Sequence, residues 1–551
     1  MDDRKPNAVS VLVSWGRQHP RSILVFATLA CLLPFLDKAV HIDDPLFLWV
    51  GQQMQTRWWD PYGFDVNWYG WSMPMHEVTK NPPLASAYIA FIISLFGGNE
   101  IALHLGFFLA AIAAVLGTHA LARRLCGHAL PAALGVLFTP VFLVSSTTLM
   151  CDVLMVALWV WAVEFWIRGL ENDRPALLII AAFFVAACSL AKYFGIALLP
   201  LLLVYSIARK QKSIWWLICL VIPALIIGVY ECLTRTLYGH GLILGAFSYA
   251  SENQAQTASS IFLKLITGFG FVGGCCAIVL AFLPILWRQR FWIGLTVIAL
   301  GLIFVRWIVP NSTLMGSNIP SDFGITSLWI ILILVGLGIL SFPITDWIRH
   351  KSPEALLLLL WVWGTFMFCI LNWTINGRSV LPMAPAVSIL LLRQIESIKG
   401  IVTLRLNWRL GAAAALALIV SFADYRLANS AREAVAEIQS RFGNFAARPI
   451  RFQGHWGFQY YAQLAGWHPY DVINQQSNPG DFIVLPFTNT NMKPISENTV
   501  ERIALIEVPV TPWIATMNKA VGAGFYMDIL GPLPFGFGPV APEKYYVLRF
   551  K

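Results

Sequence analysis

Charge is scarce in this chain. Of its 551 residues 12% are Asp, Glu, Lys or Arg, against 58% that are hydrophobic, where soluble domains carry roughly a quarter charged residues. A soluble globular protein is thereby excluded, and a multi-pass membrane protein is what remains. Internal repeats, low-complexity tracts and heptads are also missing. The nine cysteines all lie within or beside apolar runs, Cys275-Cys276 included, and none falls in 424–551. No CxxC pair occurs, so neither a disulfide framework nor a cysteine metal centre is expected. The first apolar run, 22–40, lacks a small-residue cleavage site and follows Arg4, Lys5, Arg17 and Arg21, which predicts a retained span and a cytoplasmic amino terminus.

A net charge of +9 would suit a nucleic-acid partner if it were gathered in one patch. Here Lys and Arg stand in short clusters between apolar runs, as cytoplasmic loops do, so no nucleic-acid partner is expected. A spanning helix needs roughly 20 apolar residues, and about thirteen candidate runs are present. They lie near 22–40, 100–121, 129–149, 152–168, 175–191, 193–208, 214–233, 261–287, 291–308, 324–347, 354–373, 379–396 and 409–423.

The run from Leu84 to Gly97 is too short to cross and reads as an interfacial or re-entrant helix. If it does not cross, Arg123-Arg124, Arg168 with Arg174, Arg209-Lys210-Lys212, Arg288 with Arg290, Arg349 with Lys351, and Arg393 through Arg409 all face the cytoplasm. The opposite face then receives the loop 41–99, the turn at Met150 to Asp152, the turn at Lys192, the loops 234–260 and 309–323, Asn376 to Arg378 and the region 424–551. In that last region RLANSAREAVAEIQSRF has helical periodicity, whereas FIVLP, RIALIEV and YYVLRF read as short buried strands. Two domains follow: a transmembrane domain over 1–423 with its first outer loop at 41–99, and an extracytoplasmic α/β domain over 424–551.

The loop 41–83 is the one long polar interruption in the first half of the chain, with Asp43-Asp44 at its start and Lys80-Asn81-Pro82-Pro83 at its end. Pro45 suits the first position of a helix and Asp44 its N-cap. Leu46, Val50 and Met54, spaced by four, give that helix an apolar stripe beside Gln52, Gln53 and Gln55, as an interfacial helix has. Asp43 is left without a capping role, and a like charge beside it raises a carboxylate's pKa toward that of a general base. The double proline fixes Lys80 and Asn81 at the membrane boundary; snorkelling to headgroups is the plain alternative for Lys80.

Asp152 opens a span, where the helix dipole alone favours an acid, yet an acid at a membrane boundary is a functional candidate. Lys192 and Arg378 are cations on the same face, and Glu231, Arg235 and His240 cluster at the outer end of another span. Trp58, Trp59, Trp68, Tyr69 and Trp71 are candidates to stack on sugar faces, or else form an interfacial aromatic belt. His41, His76, Glu77 and His455 lack HExxH-type spacing, so no metal is expected; no cofactor is expected either, and a divalent cation has no support.

Taken together, these motifs resemble the GT-C superfamily of polyprenyl-phosphate-sugar glycosyltransferases, near the protein O-mannosyltransferases (glycosyltransferase family 39) and the aminoarabinose transferases. That family carries Asp-Glu soon after its first span and Lys-Pro-Pro-Leu before a short surface helix. Asp43-Asp44 and Lys80-Asn81-Pro82-Pro83-Leu84 occupy those places, with Asp for Glu and an inserted Asn. RRLCG after the second span, LMCDVLM, LAKYFGIALLP and NGRSVLPMAP extend the likeness over residues 20–400.

The resemblance implies an α-helical GT-C membrane enzyme, a hexosyl- or pentosyltransferase. It would move a sugar, with inversion, from a polyprenyl-phosphate donor to a hydroxyl of a lipid, glycan or protein. It implies Asp43 as base, with Asp44 and Asp152 as the other catalytic candidates. Lys80 or Asn81, Lys192, Arg235 and Arg378 would hold the donor phosphate, and Glu231, His240, Trp68 and Tyr69 would contact sugar or acceptor. Its partners would be the lipid-linked sugar, the acceptor and membrane lipids. Its expected place is the bacterial inner membrane, with the site on the periplasmic side. Two alternatives stay open: a transporter or flippase of lipid-linked saccharides, and a non-catalytic scaffold.

Overall fold

The computed structural model describes residues 18–211, 213–256, 261–286, 300–301, 322–398, 404–446, 448–474 and 477–551. Among them seven helices are long and apolar enough to cross a membrane, or nine if each of two bent pairs is one span. The chain is therefore an integral membrane protein. Shorter apolar helices cover Pro20–Phe35, Leu84–Phe96, Pro175–Ala191 and Tyr193–Ala208. The run expected at 291–308 lies outside the described residues except for 300 and 301, as do Arg288, Arg290 and the expected loop 309–323 up to 321.

Two expected straight spans turn corners. Ala129–Leu137 meets Pro140–Ser146 at 62°, because Pro140 has no N–H to continue the first piece and Thr139 caps the second, accepting from Phe142 N at 3.3 Å. Ile261–Cys275 and Ile278–Leu286 meet at 92°. Pro140 is the sequence signal for the first corner; hydropathy alone carries none for the second. The helix Leu404–Phe442, 39 residues long and about 58 Å from end to end, passes straight through position 424. Neither Gly nor Pro falls between Gly411 and Gly443, so nothing stops it; only its surface changes, from apolar to polar.

Beyond that helix lies a five-stranded sheet in the order His468–Pro469, Arg451–Phe452, Phe482–Pro486, Glu543–Phe550, Val500–Val508. The first two pairings are parallel and the last two antiparallel. The three longer strands fall on FIVLP, RIALIEV and YYVLRF. Ile483, Val484, Ile506, Val508, Tyr545 and Val547 are buried from them. The helix Trp456–Leu464 packs between Leu404–Phe442 and the helix Asp44–Thr56. Gly457 makes this approach possible: a Cβ there would stand 2.0 Å from Val40 O.

Leu84–Phe96 has 13 residues and is about 20 Å long, too short to span roughly 30 Å of hydrocarbon. Its end is open, with Gly97 at φ 78° and Gly98 exposed. A Gly98→Cys variant, made with exposed Cys232 replaced by Ser, should react with an impermeant thiol reagent added outside the cell. Labelling only after permeabilisation would reverse the orientation.

Candidate active site

The site is assembled where the first apolar helix ends. Three buried residues after it, Lys38, Ala39 and Val40, are tied to distant segments. Ala39 N donates to Asn429 Oδ1 at 2.8 Å and Val40 N to Tyr461 OH at 2.8 Å. Ile42 follows at φ 45°, a left-handed conformation that costs a β-branched residue about 1–3 kcal/mol. The surrounding bonds hold it there, and the turn it makes presents Asp43 and Asp44 in different directions.

Asp44 faces inward. Its carboxylate is buried and accepts from His41 N at 3.0 Å and Leu149 N at 2.9 Å, pinning the loop to the turn before Asp152. Burial pushes its pKa up to about 7, against those two backbone bonds and the Lys38 charge. The expected N-cap role is not what is found. The helix starts at Asp44, Asp43 holds the N-cap place, and neither carboxylate caps it, because Asp44 is drawn into the protein by other donors.

Asp43 faces outward, its side chain 28% exposed, and pairs with Arg378 Nη2 at 2.9 Å. Arg378 sits in the short helix Gly377–Val380, capped by Asn376, whose Oδ1 accepts from Ser379 N at 2.9 Å. The other side of this turn is gripped by the carboxy-terminal region. Gly377 N donates to Phe525 O at 2.7 Å, and a Cβ on Gly377 would come 2.7 Å from the Phe525 ring. The Tyr526 ring lies 5.7 Å from the Arg378 guanidinium carbon, within cation–π range, and Met150 Sδ accepts from Nη1.

Asp152 opens Asp152–Glu171 and Lys192 ends Pro175–Ala191; they pair at 2.5 Å. Asp152 Oδ2 has no hydrogen-bond partner among the described residues, and Arg378 stands within electrostatic reach of Asp152. Asp43, Arg378, Asp152 and Lys192 thus form one cluster of alternating sign. Asn81 joins its edge, its Oδ1 accepting from Cys151 Sγ at 3.7 Å.

Lys80 makes no ion pair among the described residues, although the Glu77 charge is within reach of it. Its Nζ donates to Glu77 O at 2.7 Å and stands 5.1 Å over the Tyr249 ring. Burial lowers its pKa, with Glu77 opposing. Tyr69 is bonded to the same Tyr249 and feels the charge of Asp43; burial raises its pKa. Arg235 is exposed and has no ion pair among the described residues.

Three expected contacts have structural occupations. Glu231 accepts from Ile243 N at 2.9 Å and Leu244 N at 3.3 Å, capping the helix Leu242–Gln256 that follows the Gly239 turn. Trp68 is buried, edge-on to His455 at 4.6 Å and to Trp49 at 6.2 Å. His240 lies 5.7 Å from the His76 ring. Among the described residues no set of three or more His, Cys, Asp or Glu is placed to hold a metal ion.

One network was not foreseen. Lys38 and Asp424 form a buried pair at 2.5 Å. Lys38 Nζ also donates to Thr147 Oγ1 at 3.0 Å, while Thr516 Oγ1 and Tyr526 OH donate to Asp424 at 2.7 and 2.8 Å. His41 lies 3.9 Å from Asp424, yet burial pushes its pKa down to about 4. Its signal in the sequence was a lysine and an acid directly at the ends of two apolar runs.

Residues 80–233 match the family model described as dolichyl-phosphate-mannose-protein mannosyltransferase. Among solved structures, the archaeal oligosaccharyltransferase AglB from Archaeoglobus fulgidus, in complex with an inhibitory peptide and a dolichol-phosphate, is 14% identical. The match covers 86% of this chain and 70% of that one with a TM-score of 0.50. ArnT from Cupriavidus metallidurans, bound to undecaprenyl phosphate, is 13% identical, with 85% and 93% covered and a TM-score of 0.47. Among curated proteins none matches. The chain has the GT-C fold, as the sequence resemblance implied.

Proposed function

We propose that this protein is a glycosyltransferase that moves a sugar from a polyprenyl-phosphate donor to an acceptor hydroxyl. The reading rests on the Asp43–Arg378 pair at 2.9 Å, between the loop after the first apolar helix and the start of the candidate span Gly377–Glu396, in a GT-C fold. In support, the family model names a lipid-phosphate sugar as donor. The AglB structure holds dolichol-phosphate.

Asp43 takes the acceptor proton as the acceptor oxygen bonds to the anomeric carbon, and the bond from that carbon to the phosphate oxygen breaks on the opposite face. The configuration inverts, and the electron pair leaves on the polyprenyl phosphate. Before donor arrives, Arg378 neutralises Asp43. An incoming phosphate competes for that guanidinium, whose fork suits phosphate and carboxylate alike, and Asp43 is released as a base. Lys80 and Arg235, which have no ion pair among the described residues, receive the rest of the phosphate charge. Asp152, held by Lys192, keeps one oxygen for acceptor or sugar.

A transporter would place its ionisable groups near mid-membrane, in broken helices of repeated halves; here they collect at helix ends. Cells lacking the protein should accumulate a lipid or glycan one sugar short of the mature form, read by mass spectrometry. An unchanged glycan and lipid profile counts against the reading. In the purified enzyme Lys80→Ala should raise the donor KM about tenfold or more, the equivalent of roughly 1.4 kcal/mol, and leave the acceptor KM within about twofold. Equal effects on both would remove Lys80 from the phosphate site.

A further inference from the structure

The helix Asp152–Glu171 carries the protein from the candidate site to the other end of the bundle, about 30 Å away. There Arg21, Arg123, Arg124 and Arg168 converge from three helices, Pro20–Leu32, Glu100–Leu125 and Asp152–Glu171. They line a recess of about 710 Å³ that also holds His119 and Glu164. A second recess of about 700 Å³ shares Arg21, His119 and Arg123.

The one carboxylate in the first recess is already spoken for. Arg124 Nε reaches Glu164 at 2.9 Å, and its Nη1 binds Glu171. Arg21, Arg123 and Arg168 have no ion pair among the described residues. Arg21, Arg123 and Arg168 are exposed at the cavity, and Glu164 offsets only part of their charge, acting on Arg168 as well as Arg124, so the recess keeps a net positive charge that favours an anion.

The walls narrow the choice of anion. Leu116, Trp161 and Phe165 line the recess, the two rings 5.4 Å apart. The Trp161 N–H is bonded to Ala113 O at 3.0 Å, so the wall presents ring and aliphatic surface. Free phosphate would gain nothing from it. A lipid has both parts, a phosphate for the guanidinium groups and methylenes for the rings.

We propose that this recess binds the phosphate headgroup of an anionic membrane phospholipid, with its first acyl methylenes against Trp161 and Phe165. The site is separate from the donor site and does not depend on the glycosyltransferase reading. Arginines that merely follow the orientation rule would point separately into water; these share a cavity.

The full-length protein, purified in detergent, is heated with phosphatidylglycerol, phosphatidylcholine or inorganic phosphate. Phosphatidylglycerol should raise the unfolding temperature by a few degrees, on the order expected when a ligand binds only the folded state. The other two should not, and Arg123→Gln/Arg168→Gln should lose at least half of the shift. Equal stabilisation by phosphatidylcholine, or an undiminished shift in the variant, overturns the proposal. A full shift from inorganic phosphate alone assigns a free-anion site and overturns the lipid assignment. If the double variant does not fold, Arg21→Gln, on the third helix, is read by the same criteria.

Discussion

Asp43→Asn should lower sugar transfer by about 10²–10⁴-fold, the usual contribution of a general base, while the protein folds and purifies like the wild type. Asn keeps the shape and an oxygen for Arg378, and loses only the capacity to take a proton. The Asp43 side chain is 28% exposed and Asn still offers an oxygen to the part-buried Arg378, so the loss of stability should be smaller than for a fully buried pair. Asp44→Asn should behave differently. Its side chain is buried and holds two backbone N–H groups, so one donor goes unsatisfied and the yield of folded protein falls. Full transfer by Asp43→Asn at normal yield would leave the proposed mechanism without its base.

Lys38→Met should be the most destabilising single change outside the catalytic cluster, by about 3–5 kcal/mol. It leaves Asp424 charged and buried, with the hydroxyls of Thr516 and Tyr526 and the buried His41 ring, but no lysine, facing it. Removing both charges, as Lys38→Met/Asp424→Leu, should recover part of that loss, since the isolated charge is what costs most. The apparent unfolding temperature in detergent, compared among wild type, single and double variants, reads the effect. A single variant as stable as the wild type would mean that this pair does not hold the carboxy-terminal region against the spans. The pair matters to the site because Tyr526 bonds Asp424 at 2.8 Å and covers Arg378 with its ring.

The positions of chemical interest were legible because charge is scarce: an Asp or Lys at the end of an apolar run stands out. Asp43, Asp152, Lys192 and Arg378 were all visible for that reason. Their partners were not. Asp43 and Arg378 are 335 residues apart and Lys38 and Asp424 386. Hydropathy reports how deep a residue lies along a span and not which way it faces around the bundle. The three longer strands were legible from their short apolar runs and Gly, Pro and Asn borders. The corner at Pro140 has its signal in that proline, which hydropathy alone passes over, whereas the corner near Cys276 leaves no mark in the apolar run. Trp68 read as a sugar platform or part of an aromatic belt because nothing in its own neighbourhood shows His455, which packs on it from the carboxy-terminal region, and Glu231 as a free acid because its capping partners lie across the Gly239 turn.

The central claim is that a sugar leaves its lipid phosphate at Asp43. Purified protein in proteoliposomes, given a polyprenyl-phosphate donor labelled on both sugar and phosphate together with membrane-extracted acceptor, puts this to a count. Wild type should release one polyprenyl phosphate for each sugar gained by the acceptor, and Asp43→Asn almost none. Donor that crosses the bilayer with its sugar still attached, at equal rates in both proteins, would contradict the claim and leave a transporter in its place.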